Sequence, residues 1–314
     1  MRVLVTGGAG FIGSHLVDRL VDQSHEVLVV DDLSTGHADN LASARARGGV
    51  KLHQLDIRDE SLTKVAERYL PEVIFHLAAQ AAVPVSVKRP RFDAEVNVVG
   101  TINVLEAARR SGTKRVVFAS SGGAIYGSAA SLPVREDMPK APDSPYGISK
   151  KIVEDYFRYY RATHDIDYVL LALANVYGPR QDAHGEAGVV ALFASAMLQG
   201  RPPTIFGDGE QTRDFVYVED VADAFARAGE RGGSRLLNIG TGVETTVNRL
   251  TEAIITATGF KGGPGYGPPR PGDVPRSVVD PAAAKEVIGW EPWTTLDEGI
   301  AGSVDWFRGA AAPL

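Results

Sequence analysis

The chain contains no cysteine, which excludes disulfides, thiolate nucleophiles and Cys-ligated metals and fits a reducing, cytoplasmic setting. Its chemistry must come from oxygen, nitrogen or a cofactor. No apolar run reaches roughly 18 residues, and the chain opens on a strand-like stretch, "RVLVT", rather than on a basic and then apolar leader. Neither a membrane span nor an export signal is expected. Positive charge is in deficit, 33 Lys and Arg against 39 Asp and Glu, so a basic stripe for nucleic acid is not expected either. Any phosphate binding has to be local. The seven His lack H-x-H or H-E-x-x-H spacing, and no metal site is expected.

What is present is a hydrophobic content of 44% in 314 residues, enough for a large core in one big domain or two ordinary ones. Strand-like and helical patterns alternate through the first half: "RVLVT", "FIGSHLVDRLVD", "EVLVVDD", then "KLHQLDI", "EVIFHLAA" and "RVVFASS". Such alternation gives right-handed βαβ units and a parallel sheet. Between the last two strands, "DAEVNVVGTINVLEAARRSG" reads as a helix that stops at Gly112. After "YVLLALANVYGPR" the elements shorten. "GDGEQTRDFVYVEDVADAFARA" with "RLLNIGTG" reads as one more strand–helix–strand passage, followed by a helix, a loop "KGGPGYGPPRPGD", and a last helix near Trp306. The expected fold is α/β, a Rossmann-type doubly wound parallel sheet over residues 1–180 with a return segment near 213–242. Residues 181–314, mainly 181–212 and 243–314, form a smaller α/β substrate domain.

"VTGGAGFIGSH" sets Gly7, Gly10 and Gly13 between a strand and a helix. One glycine makes a tight turn, one lets backbone N–H groups approach a pyrophosphate, and one lets helix and strand pack closely. Asp31 ends the second strand, placed to accept both ribose hydroxyls of NAD and to repel the 2′-phosphate of NADP. The alternative for Asp31 is a helix N-cap or a turn former. Asp56 and Ile57, at the end of the third strand, are placed to hold the adenine, with a solvated loop carboxylate as the competing reading of Asp56. Tyr146 and Lys150, in "SPYGISK", stand at i, i+4 and share one face of a long amphipathic helix. A neighbouring ammonium favours the phenolate, so Tyr146 is expected to serve as a base although a free Tyr titrates at about 10.

T-G-x-x-G-x-x-G, "HLAA", "NVVGT", Y-x-x-x-K and "NVYGPR" together resemble the extended short-chain dehydrogenase/reductase superfamily over most of the chain. Within it, "YGPRQDAHGEAGVV", "FGDGEQTRDFVYVEDV" and "RPGD" are similar to the UDP-glucose (UDP-galactose) 4-epimerases. The resemblance implies a retained NAD, a UDP-sugar substrate and a homodimer pairing helices around residues 93–110 and 146–163. It also implies that Tyr146 takes the proton of the sugar's C4 hydroxyl while C4 is oxidised, and that the transient 4-keto sugar turns over and is reduced on its other face. Cofactor contacts then include Phe11, Ile12, Leu77, Ala78, Ala79, Gln80, Asn97 and Ser120 beside Tyr146 and Lys150. Substrate contacts include Val83, Gly188, Val189, Val190 and Asp273. Arg213 and Arg270 clamp the diphosphate, and Asn175 donates to it.

Relatives in this superfamily carry Ser or Thr four residues before the Tyr of a "VYG"-like segment, to bond the sugar hydroxyl. Counting back from Tyr126 in "SSGGAIYG" gives Gly122, a hole. Either Ser121 or a water fills the role, or both serines merely bond backbone. Nucleotide-sugar 4,6-dehydratases carry Asp-Glu where Gly123 and Ala124 stand, and UDP-glucuronate decarboxylases keep a Glu there; without a carboxyl, epimerisation is the simpler chemistry. A UDP-glucuronate 4-epimerase is the nearer rival, although those enzymes tend to carry Thr at the place of Asn175, and a non-catalytic NAD sensor is a remote one. The residue seven after the Arg of R-x-G-D lines the sugar's C2 substituent in the resembled epimerases. Here it is Ser277, small enough to admit an N-acetyl group, unless it only begins the strand "SVVD".

Overall fold

The computed structural model describes residues 1–129, 131–182, 188–270 and 274–310. Its centre is a parallel sheet of seven strands: β1 (Arg2–Thr6), β2 (Glu26–Asp31), β3 (Val50–Gln54), β4 (Val73–His76), β5 (Arg115–Ser121), β6 (Asp167–Leu173) and the later strand Arg235–Ile239. Their spatial order is β3, β2, β1, β4, β5, β6 and Arg235–Ile239, so the winding reverses between β1 and β4. In an open α/β sheet that reversal opens a crevice at the carboxyl ends of the strands.

The period-two alternation along each strand explains why both faces are covered. Val3 and Val5 of β1 enter one core with α1 (Phe11–Asp22) and the helix Val218–Glu230, while Leu4 enters the opposite core with helices Ser61–Tyr69, Gly100–Ser111 and Pro145–His164. β3 lies at the sheet edge and is largely exposed. A third core joins helices Val189–Leu198, Val247–Thr258 and Leu296–Ala310 through Phe193, Leu250, Ile254, Ile300 and Val304.

Three details depart from the sequence reading. The helix before β5 is interrupted by a turn of π-helix, Glu95–Val99, between Pro90–Ala94 and Gly100–Ser111. The Gly- and Pro-rich stretch holds a short strand, Gly265–Gly267, paired in parallel with Thr204–Phe206. In the strand–helix–strand passage only Arg235–Ile239 joins the main sheet, whereas Phe215–Tyr217 pairs with Asn175–Tyr177. Each partner is distant in sequence, so local pattern carries no signal of the pairing. No helix among the described residues is long and apolar enough to cross a membrane.

Candidate active site

The glycine loop sits at the reversal point. Gly7 has φ +70°, a left-handed conformation that favours glycine, and its N–H bonds the Val30 carbonyl at 2.9 Å. A Cβ on Gly13 would lie 2.1 Å from the Gly7 carbonyl oxygen, so the first turn of α1 closes on the loop only because position 13 has no side chain. α1 starts at Phe11 after Gly10 without a side-chain cap, leaving its first N–H groups and dipole turned to the crevice. Across the reversal, Leu77 donates to the Thr6 carbonyl at 3.0 Å and Ala78 to the Thr6 hydroxyl at 3.3 Å, which brings the Leu77–Ala78–Ala79–Gln80 turn against the loop.

Asp31 is almost wholly buried. One carboxylate oxygen accepts the Ala9 N–H and the other the Leu33 N–H, both at 2.9 Å, and burial raises its pKa against these bonds. The carboxylate therefore braces the glycine loop and forms a turn, the alternative left open for it, while lone pairs remain for a ligand. Asp56 is tied to Arg58 through the guanidinium and the backbone N–H, and that pairing lowers its pKa. Ile57 is buried against the helix at Gly100. The Ser120 hydroxyl is buried with no hydrogen-bond partner among the described residues. An orphaned donor near the carboxyl end of β5, an uncapped helix start after β1 and a cradle that a Cβ would fill fit a dinucleotide.

Tyr146 and Lys150 lie in the first turns of Pro145–His164, whose start is fixed by Ser144 accepting from the Gly147 N–H. Lys150 is 3% exposed, donates to the Ala119 carbonyl at 2.8 Å, and sits 4.4 Å from the Phe118 ring centroid and 5.8 Å from that of Tyr146. The titration differs from the sequence expectation. Burial pushes the Tyr146 phenol up to about 12, with Ser121 as the hydrogen-bond partner that pulls it back, and burial brings Lys150 down to about 7. Desolvation disfavours both charged forms, and it outweighs the ammonium effect in the ligand-free pocket.

Ser121 ends β5 in extended conformation and precedes the short helix Gly122–Ile125 without capping it, so its hydroxyl is left for Tyr146. Position 122 is no hole. A Cβ there would meet Val279 Cγ1 at 3.0 Å and the Ala172 and Leu173 carbonyl oxygens at 3.1 and 3.2 Å, inside the packing of β6. A hydroxyl at 122 would sit in that packing, and the hydroxyl that meets Tyr146 is that of Ser121, one residue before the position counted back from Tyr126.

On the sugar side, Asn175 is exposed and its N–H bonds the Asp214 carbonyl. Arg213 and Ser277 are paired neighbours across the strands Thr212–Arg213 and Arg276–Ser277. The Arg270 guanidinium stacks on Phe206, 4.1 Å from its centroid. Gly188 precedes helix Val189–Leu198, with Val189 half-buried; Val190 is in the third core, so its side chain faces away from any ligand. Val83 is exposed at the start of Val83–Lys88. Asp273 lies outside the described residues. Among those described, no cluster of His, Asp and Glu has the make-up of a metal site.

The sequence reading missed two buried polar groups. His76 is wedged between the Thr6 and Thr101 hydroxyls at 2.7 and 3.0 Å and brought down to about 3 by burial, which keeps it neutral. Asp93 is fully buried and accepts from Gln80 Nε2 at 2.8 Å, Asn97 Nδ2 at 3.0 Å and the Ser149 hydroxyl at 2.7 Å. The spacing of Asp93 and Asn97, one helical turn apart, is the only hint in the sequence.

A reversed-winding sheet with a glycine cradle at its crevice and a Tyr–Lys pair beside it is the arrangement of a dinucleotide-dependent sugar-modifying enzyme class. Residues 3–240 match the NAD dependent epimerase/dehydratase family, and the chain belongs to it. It is 53% identical over 309 residues to a UDP-glucose 4-epimerase of Mycolicibacterium smegmatis, covering 98% of this chain and 99% of that one. Among solved structures it superimposes with TM-score 0.96 on the UDP-glucose 4-epimerase of Thermotoga maritima with UDP-glucose, at 45% identity over 99% of this chain and all of that one. Against the Thermus thermophilus UDP-glucose 4-epimerase in complex with NAD the TM-score is 0.91, at 44% identity over 99% of this chain and all of that one.

Proposed function

We propose that the chain is an NAD-dependent UDP-glucose 4-epimerase that interconverts UDP-glucose and UDP-galactose. The observation that carries this reading is the end of β5: the Ser121 hydroxyl faces Tyr146, while positions 123 and 124 offer no carboxyl for elimination. When bound, NAD supplies a reversible hydride acceptor and a cationic ring whose charge favours the Tyr146 phenolate. Gly7, Gly10 and Gly13 with the first turn of α1 would hold its pyrophosphate and Asp31 its ribose, and the Ser120 hydroxyl would find a partner in it. Tyr146 Oη takes and returns the proton of the C4 hydroxyl, Ser121 bonds the same oxygen, and Lys150, 5.8 Å from the phenol ring centroid, is the amine beside it. Arg213, Arg270 and Asn175 receive the diphosphate of the UDP-sugar, since guanidinium groups meet phosphate oxygens bidentately.

Residues 1–180 with the return segment form the NAD-binding domain and the rest the nucleotide-sugar domain. The exposed stripe Ile148, Ile152, Tyr156 and Tyr159 on Pro145–His164, with Val99 on the neighbouring helix, is an apolar face suited to a homodimer. Ser277 is a small side chain in register with Arg213, which supports UDP-N-acetylglucosamine as a second substrate. The test is an assay of NAD-loaded protein with UDP-galactose, UDP-N-acetylglucosamine and UDP-glucuronate. Turnover of the first two is expected, and Ser277→Tyr should lower turnover of the acetylated sugar about tenfold while sparing UDP-galactose. Turnover of the uronate alone would overturn the assignment, and equal loss on both sugars in Ser277→Tyr would remove the gate.

A further inference from the structure

Asp93 stands apart from the groups that face ligand. It is a carboxylate with no exposed surface, on Pro90–Ala94 just before the π turn, and its three donors come from three separate elements. Gln80 belongs to the turn after β4, Asn97 to the π turn, and Ser149 to the helix of Tyr146 and Lys150. The cluster is closed further by Gln80 N–H to Asn97 Oδ1 at 3.0 Å and by Asn97 Nδ2 to the Gln80 carbonyl at 2.9 Å. All three donors to Asp93 are neutral. A buried carboxylate surrounded by neutral donors gains from a cation nearby. A buried cation follows directly on one of the three donors: Lys150, next to Ser149 and 3% exposed, whose ammonium donates to the Ala119 carbonyl and to no carboxylate among the described residues.

We propose that Asp93 is a positioning residue of the proton-transfer site: it fixes the Tyr146–Lys150 helix against the cofactor turn and the π turn, and its charge holds Lys150 as an ammonium. The inference rests on the reading of Tyr146 and Lys150 as the proton-transfer pair. The titratable groups facing Lys150 are Tyr146 on its own helix, His76 on β4 and Asp93 on Pro90–Ala94. His76 lies between two hydroxyls and burial keeps it neutral, and burial raises the Tyr146 phenol, so Asp93, hydrogen-bonded to the residue that precedes Lys150, is the carboxylate among the described residues that acts on the amine. Its field opposes the desolvation of Lys150 and, acting on Tyr146 as well, discourages the phenolate until positive charge arrives.

The test titrates Lys150 directly in the full chain, by NMR of lysines labelled at Cε and assigned with Lys150→Met, comparing wild type with Asp93→Asn. The isosteric variant keeps the packing and removes the charge. Its Lys150 midpoint should fall by about one pH unit or more, and its epimerase kcat should fall tenfold or more with KM within threefold. A merely structural role predicts the opposite sign, because a loosened pocket admits water and relieves desolvation. An unmoved or raised midpoint therefore overturns the proposal, whatever the activity. Should Asp93→Asn not fold, Ser149→Ala keeps the carboxylate and removes one donor that shares its charge. The Lys150 midpoint must then stay at or above that of wild type, and a fall would overturn the proposal. Because the titration is read without substrate, a protein that fails to turn over UDP-galactose would sink the function and leave this measurement standing.

Discussion

On the cofactor side of the crevice the site is made of backbone: the Gly7 turn, the Gly13 contact and the uncapped start of α1 are fixed by strands whose side chains are buried in two cores. On the side proposed for the sugar nucleotide it is made of side chains on or against strands of two or three residues, with Arg213 on Thr212–Arg213 and Arg270 stacked on Phe206 of Thr204–Phe206. A backbone cradle serves one ligand shape and tolerates almost no substitution, whereas projecting side chains can be exchanged one at a time. The comparison accounts for one family holding a common cofactor and varied sugars. Tyr146 stands where the two sides meet, and its removal separates them most sharply. Tyr146→Phe is expected to lower epimerase turnover by about 10²–10⁴-fold and leave NAD bound, measured as nucleotide released on denaturation. A variant within threefold of wild type would mean that the base is elsewhere.

Gly13→Ala strikes the cofactor side alone. With the Gly7 carbonyl oxygen 2.1 Å from the new Cβ, α1 must move off the loop, at a cost of about 1–3 kcal/mol or more. The purified protein should carry little NAD and show a lowered thermal midpoint that added UDP-sugar does not restore. Full NAD content in Gly13→Ala would show that the cradle is more pliant than its geometry implies.

How far these features are legible in the sequence follows the same division. β1, α1, β2 and the glycine loop are local patterns, and so is the Tyr146–Lys150 pair, which needs only a helical turn to share a face. Asp93 was invisible because Ser149 is 56 residues away, and no periodicity announces a carboxylate that closes against a distant helix. The Tyr146 phenol is raised where the i, i+4 spacing predicts it lowered, for a related reason. Spacing gives the distance between two side chains, but desolvation is decided by everything packed around them. The strand Gly265–Gly267 has its partner about sixty residues earlier, and its Gly- and Pro-rich composition reads as loop.

The end of β5 offers the finest test, because two adjacent residues divide stability from chemistry. A Ser at 122 would direct its Cβ toward Val279 and the carbonyl ends of β6, at contacts of 3.0 to 3.2 Å, and its hydroxyl would be held in that packing rather than beside Tyr146. Gly122→Ser should therefore cost about 1 kcal/mol, read as a thermal midpoint lowered by roughly 2–4 °C, and bring no gain in turnover. Ser121→Ala removes no packing of comparable tightness and should leave the midpoint unchanged, yet it deletes the hydrogen-bond partner of the phenol. Its kcat should fall about tenfold, the scale of one hydrogen bond lost at a reacting group. If Gly122→Ser instead rescued the Ser121→Ala protein, the hydroxyl at 122 would reach the sugar after all, and the one-residue displacement inferred from the packing at Gly122 would be wrong.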